Sequence, residues 1–176
     1  MDRLELRIRT DLNRFAGFRP RLELALPACM LWSAADAMRR HPEAEPGVKA
    51  FANAVCPLLY AAYQEPFIGL SDRKHLSALG LMDDINQWIM KGYATRPAAS
   101  VFMIALRWLE SLIESGALEL IKGSAADMAL DRILAELQAH EDIAATVDRS
   151  ATRESERLDA KLQGLGLYRD AGRAVA

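Results

Sequence analysis

At 176 residues the chain has the length of one domain and can bury a sizeable core without disulfide staples. A hydrophobic share of 51% beside a charged share of 26% excludes disorder over the whole chain. The formal net charge of −2 excludes an overall electrostatic pull toward nucleic acid or a membrane surface.

Residues 2–16 place Leu4, Ile8, Leu12 and Phe15 on one helical face. A hairpin reading competes, because Leu4, Leu6 and Ile8, and again Leu22, Leu24 and Leu26, alternate with charged residues. Leu, Glu and Arg favour helix and the β-branched and aromatic residues of strands are scarce, so 2–16 is read as helix while 21–26 stays open. Pro27 suits the first turn of a second helix running to about Arg40. A third follows through Val48, Phe51, Val55, Leu59 and Tyr63, with Pro57 expected to kink or split it. Ser71 is the expected N-cap of a fourth helix that ends near Lys91 and Gly92.

Thr95 and Pro97 open a fifth helix that is apolar on nearly every side, from Val101 to Ile113, as only a surrounded helix can be. Ser124 with Asp127 resembles a capping box at the start of the last helix. From Gln138 to Ser155 the only large apolar residues are Ile143 and Val147, before Leu158, Leu162 and Leu165 restore a stripe. The expected fold is therefore all-α: a single-domain bundle of about six helices around a central hydrophobic helix over 97–115, with a long C-terminal helix. Residues 1–140 are expected to form the core domain, 141–163 an exposed C-terminal helical arm, and 164–176 a flexible tail.

Arg149, Arg153, Arg157 and Lys161 recur every four residues and form a basic stripe beside Leu158 and Leu162. These six residues are the candidate partner-binding surface. Trp88, Tyr93 and Arg107 are the candidate pocket residues, Arg107 being polar on an otherwise apolar helix and spaced to pair with Glu110. Glu136 and His140 share a face, but a metal site needs three or four converging ligands, so no metal is assigned. Asp83 and Asp84 are adjacent and point about 100° apart on a helix, so they cannot easily address one atom. Cys29 and Cys56 sit in apolar stretches and read as small buried hydrophobes. No catalytic residue and no cofactor is assigned.

The functional expectation is a small helical protein–protein interaction module, a regulator, adaptor or inhibitor subunit that binds a protein partner or forms a homo-oligomer. The alternative is a small-molecule-binding or enzymatic bundle. Nucleic-acid binding comes third, because the arginine-rich segment over 1–21 lacks any recognisable nucleic-acid motif and the overall charge is negative. The Val101–Leu106 run stops at Arg107, short of the roughly 18 apolar residues of a membrane span, and Met1 to Glu5 carry no signal-peptide core. The expected compartment is the cytoplasm, with no membrane contact.

Overall fold

The computed structural model describes residues 1–144 and 149–168, and within them every regular element is helical. Helix α1 (Arg3–Arg14) starts at Asp2, whose carboxylate accepts from the Leu4 amide at 3.2 Å, and buries Ile8 and Leu12. Phe15 ends it, and a 3-10 turn leads into α2 (Arg19–Arg40). The hairpin alternative is thereby resolved. Leu22 and Leu26, four residues apart, are both buried, so the alternation over 21–26 is helical phase and not strand pleat.

Helix α2 starts well before Pro27, at Arg19. Pro20 occupies its first turn, and Pro27 lies inside the helix. A proline cannot donate to the carbonyl four residues back, here that of Glu23. The Tyr168 hydroxyl donates to this carbonyl, so a residue from the far end of the chain repairs the helix. Pro57 likewise does not split α3 (Pro46–Gln64). It and Asn53, whose carbonyl it frees, both lie on the exposed side, where solvent can satisfy the vacated bond.

The short 3-10 turn Glu65–Phe67 connects to α4 (Asp72–Met90), which begins at Ser71 without a side-chain capping bond. A second 3-10 turn, Lys91–Tyr93, leads to α5 (Ala98–Glu114). Its Val101–Leu106 run, Trp108, Leu109 and Leu112 are all buried. Helix α6 (Ala125–Ala139) has the expected cap: Ser124 Oγ accepts from the Asp127 amide at 3.2 Å, and Asp127 accepts from the Gly123 amide at 2.8 Å. Glu65 adds a carboxylate at the same terminus, accepting from the Ala125 amide at 2.6 Å, where the helix dipole favours negative charge. A single turn, α7 (Glu141–Ala144), precedes α8 (Arg149–Gly164). Helix α2 packs on α3 and α5, α3 on α6, and α8 on α5. No helix among the described residues is long and apolar enough to cross a membrane.

The C-terminal region departs from the sequence expectation. Helix α8 is not an exposed arm. Ala151, Ser155, Leu158, Leu162 and Leu165, spaced 4-3-4-3, are all buried, as a helix seated along another requires. Ser155 Oγ donates to the Thr152 carbonyl at 2.7 Å, so its burial leaves no orphan hydroxyl. Nor is the segment after Gly164 a loose tail as far as Tyr168. Gly166, at φ 88°, occupies the left-handed position of a helix-ending motif in which the Leu167 amide donates to Leu162 and the Gly166 amide to Gln163. Leu165, Leu167 and Tyr168 are buried, and the Tyr168 ring meets Trp108 edge-on at 5.2 Å. Tyr168 itself holds φ 55°, a conformation costing roughly 1–3 kcal/mol that its ring packing and hydroxyl bond offset. The rest of the expected tail, 169–176, lies outside the described residues.

Candidate functional site

Where α4 ends, the chain turns through Gly92 and Tyr93, and α8 passes alongside. Between them lies a groove of about 170 Å³, with Ile89, Gly92 and Tyr93 on one wall and Glu154, Arg157, Leu158 and Lys161 on the other. The spacing of Glu154, Arg157, Leu158 and Lys161 on one helix sets all four on one face. A Cβ added at Gly92 would meet no atom within 4 Å, so the missing side chain keeps that wall low.

The charges of the groove are arranged unevenly. Glu154 accepts from Arg157 at 2.7 Å and pairs with Arg96 at 3.3 Å. Lys161 has no carboxylate partner among the described residues; its ammonium lies 4.0 Å from the centre of the buried Trp88 ring. Two lining cations against one carboxylate, with Arg96 beside them on Glu154, leave an excess of positive charge. Burial, with Glu154 second, pushes the Tyr93 hydroxyl above the usual phenol range. It therefore stays protonated at neutral pH, available as a donor.

Two sets of residues that are far apart in sequence thus meet. Tyr93 from the expected pocket and Arg157, Leu158 and Lys161 from the expected partner surface line one groove, and Trp88 supports it through Lys161. Leu158 contributes only an edge, being 1% exposed, and Leu162 belongs wholly to the core. Their phase buries them against α5, which removes them from any outer surface. Arg153 is exposed and makes no ion pair among the described residues, while the Arg149 side chain lies outside them. Arg107 does not line the groove; it pairs with Glu110 at 2.8 Å, as their spacing allows.

Three groove residues, Ile89, Gly92 and Glu154, were not singled out as site residues. For Glu154 a signal existed, since it sits one turn before Arg157 and two before Lys161. Nothing in the sequence marks Ile89 or Gly92 apart from an ordinary helix end.

The remaining titratable clusters have structural roles. His140 lies 3.5 Å from Glu136, which also binds Arg132 at 2.8 Å. No group of three or more His, Cys, Asp or Glu among the described residues could hold a metal. Asp84 pairs with Arg7, joining α4 to α1. The Cys29 thiol is pushed up to about 12 by burial, which leaves no reactive thiolate at neutral pH. No protein-family model, curated protein or solved structure matches this chain.

Proposed function

We propose that this protein is a small-molecule-binding helical bundle that takes a small organic anion in the groove between the end of α4 and α8. One observation carries the reading: Arg157 and Lys161 face an apolar and aromatic wall across a single cavity. A carboxylate or phosphate entering there meets two cations, and the apolar body of the ligand lies against the half-buried Tyr93 ring. Partial removal from water strengthens those charge-assisted bonds relative to exposed ones. The interaction-module reading loses the surface that motivated it, because Leu158 and Leu162 are buried. The nucleic-acid reading of the arginine-rich N-terminus is weakened by the pairing of Arg7 with Asp84 and of Arg9 with Glu5.

Thermal unfolding of the full chain with a panel of organic carboxylates and phosphates, each beside its neutral analogue, tests the proposal. A ligand at a hundred times its Kd stabilises by about 2.7 kcal/mol, which raises Tm by roughly 5–10 °C for a chain of this size. The expected result is such a rise for at least one anion and none for its neutral analogue, abolished in Arg157→Ala/Lys161→Ala. No rise with any anion, or a rise that persists in the double variant, would overturn it.

A further inference from the structure

Between the end of α3 and the connection from α5 to α6 lies a second cavity, of about 180 Å³. Its lining changes character with depth. Glu65, Glu119 and Ile121 are exposed and form the mouth, whereas Leu24 and Leu120 are half-buried and Ala62 is buried. Leu24, Ala62, Leu120 and Ala126 also line a narrower apolar slot of about 20 Å³. The slot continues inward between α2, α3 and α6, as far as the buried Leu31 and Ile133. Alanine at both 62 and 126 keeps the cavity open, since close packing would leave no such space beside larger side chains.

Volume and charge narrow the occupant. An apolar cavity of about 150 Å³ already admits a benzene-sized group, and about 10–15 Å³ holds one water-sized group. The cavity therefore takes an apolar body of about six carbons, and the slot a methyl-sized tip. Glu65 and Glu119 are the charged lining residues, with no cation among the lining residues described. Arg21 is bonded to the Pro66 and Ile68 carbonyls, and neither it nor Lys122 lines the cavity. Glu119 makes no ion pair among the described residues. Helix α6 starts here, and its dipole would draw an anion. The Gly123, Ala125 and Asp127 amides, however, already donate to Asp127, Glu65 and Ser124. Those donors are taken, and the mouth presents carboxylates.

We infer that this cavity binds a small organic amine in its ammonium form. The ammonium sits at the mouth beside Glu65 and Glu119, where charge-assisted bonds hold it and water still reaches it. An alkyl or aryl body of about six carbons fills the cavity, with its tip toward the slot. The inference stands apart from the anion groove, which lies between the end of α4 and α8.

Calorimetric titration of the full chain with n-hexylammonium and benzylammonium, each beside the corresponding alcohol, reads the outcome. The expected result is a Kd below about 1 mM for at least one amine, with its alcohol at least about fivefold weaker. Glu65→Gln/Glu119→Gln keeps an oxygen acceptor for the Ala125 amide and should bring amine and alcohol within about twofold of each other. Ala126→Leu fills the cavity and should abolish binding of both, while Arg157→Ala/Lys161→Ala should leave both unchanged. Both glutamates are exposed, so the charge variant keeps the fold and decides even where Ala126→Leu does not. No binding of either amine at ~10 mM overturns the inference. So does an alcohol bound as tightly as its amine, a preference for the amine that persists in the charge variant, or binding that survives a folded Ala126→Leu.

Discussion

Helices α5 and α8 lie against each other, yet their compositions are opposite. Along α5 apolar residues dominate, and nine of its 17 residues are buried, while Arg107, Glu110, Ser111 and Glu114 keep one stripe toward solvent. Along α8 charged residues dominate, and among its described side chains only Ala151, Ser155, Leu158 and Leu162 are buried. Both helices are nevertheless seated in one core. Burial on α8 follows the phase of a few side chains, two of them small, and not their abundance. Ala151 and Ser155 are buried small residues, which need less room in the core than large apolar side chains would. The polar residues assist as well: Asp159 accepts from the Trp108 indole at 3.3 Å and from Gln163 at 2.7 Å, and Arg9 donates to the Gly164 carbonyl at 3.1 Å.

The likeness between the two helices is broken most severely by removing the segment C-terminal to α8. Truncation after Gly164 removes Leu165, Leu167 and Tyr168, each buried. At about 1.5–3 kcal/mol per buried side chain, the loss is roughly 4–9 kcal/mol, a large part of a typical domain's stability. Urea unfolding of the truncated chain is expected to show a greatly lowered midpoint or no cooperative transition. An unchanged midpoint would mean that this segment is the loose tail its composition suggests.

Within α8 itself, Leu162→Ala should destabilise by about 2–5 kcal/mol, as buried leucines do, while Arg153→Ala on the exposed side should stay within about 0.5 kcal/mol. Equal effects at the two positions would show that α8 does not hold its face against α5. Denaturant midpoints at constant slope give the answer directly.

A last comparison separates the interior from the surface by pH. Burial raises the Tyr168 hydroxyl well above its ordinary 10.0 and the Cys29 thiol from 9.0 to about 12. In the unfolded chain both ionise near their ordinary values while the folded chain keeps its protons. Stability is therefore complete below about pH 9 and falls as pH rises past the ordinary thiol and phenol values. The slope reaches about 1.4 kcal/mol per pH unit for each group. Unfolding measured between about pH 7 and 11 should show that decline, and Tyr168→Phe should make it shallower. A profile flat across that whole range would place both groups in water.

The Ser124–Asp127 cap, the Arg107–Glu110 pair and the α5 core were legible because each depends on spacing along one helix. The groove was legible only in halves. Tyr93 and Lys161 are separated by the whole of α5, α6 and α7 and most of α8, and no local pattern says that those helices return to the same place. The burial of 165–168 escaped the sequence for a different reason. Leu165, Gly166 and Leu167 do carry the signature of a helix-ending motif with its apolar contact, but a short segment after a charged helix looks solvated until its neighbours are known.

Periodicity, capping and apolar density along the chain determined that this protein is all-α and which helix is the most apolar. Those properties arise from contacts within a few residues, where sequence separation and spatial separation are the same thing. Only the tertiary structure decided that α8 is part of the core, that Tyr168 repairs the gap left by Pro27, and that residues of α4 and α8 share one cavity. Each of these depends on side chains far apart in sequence whose meeting is set by how whole helices pack.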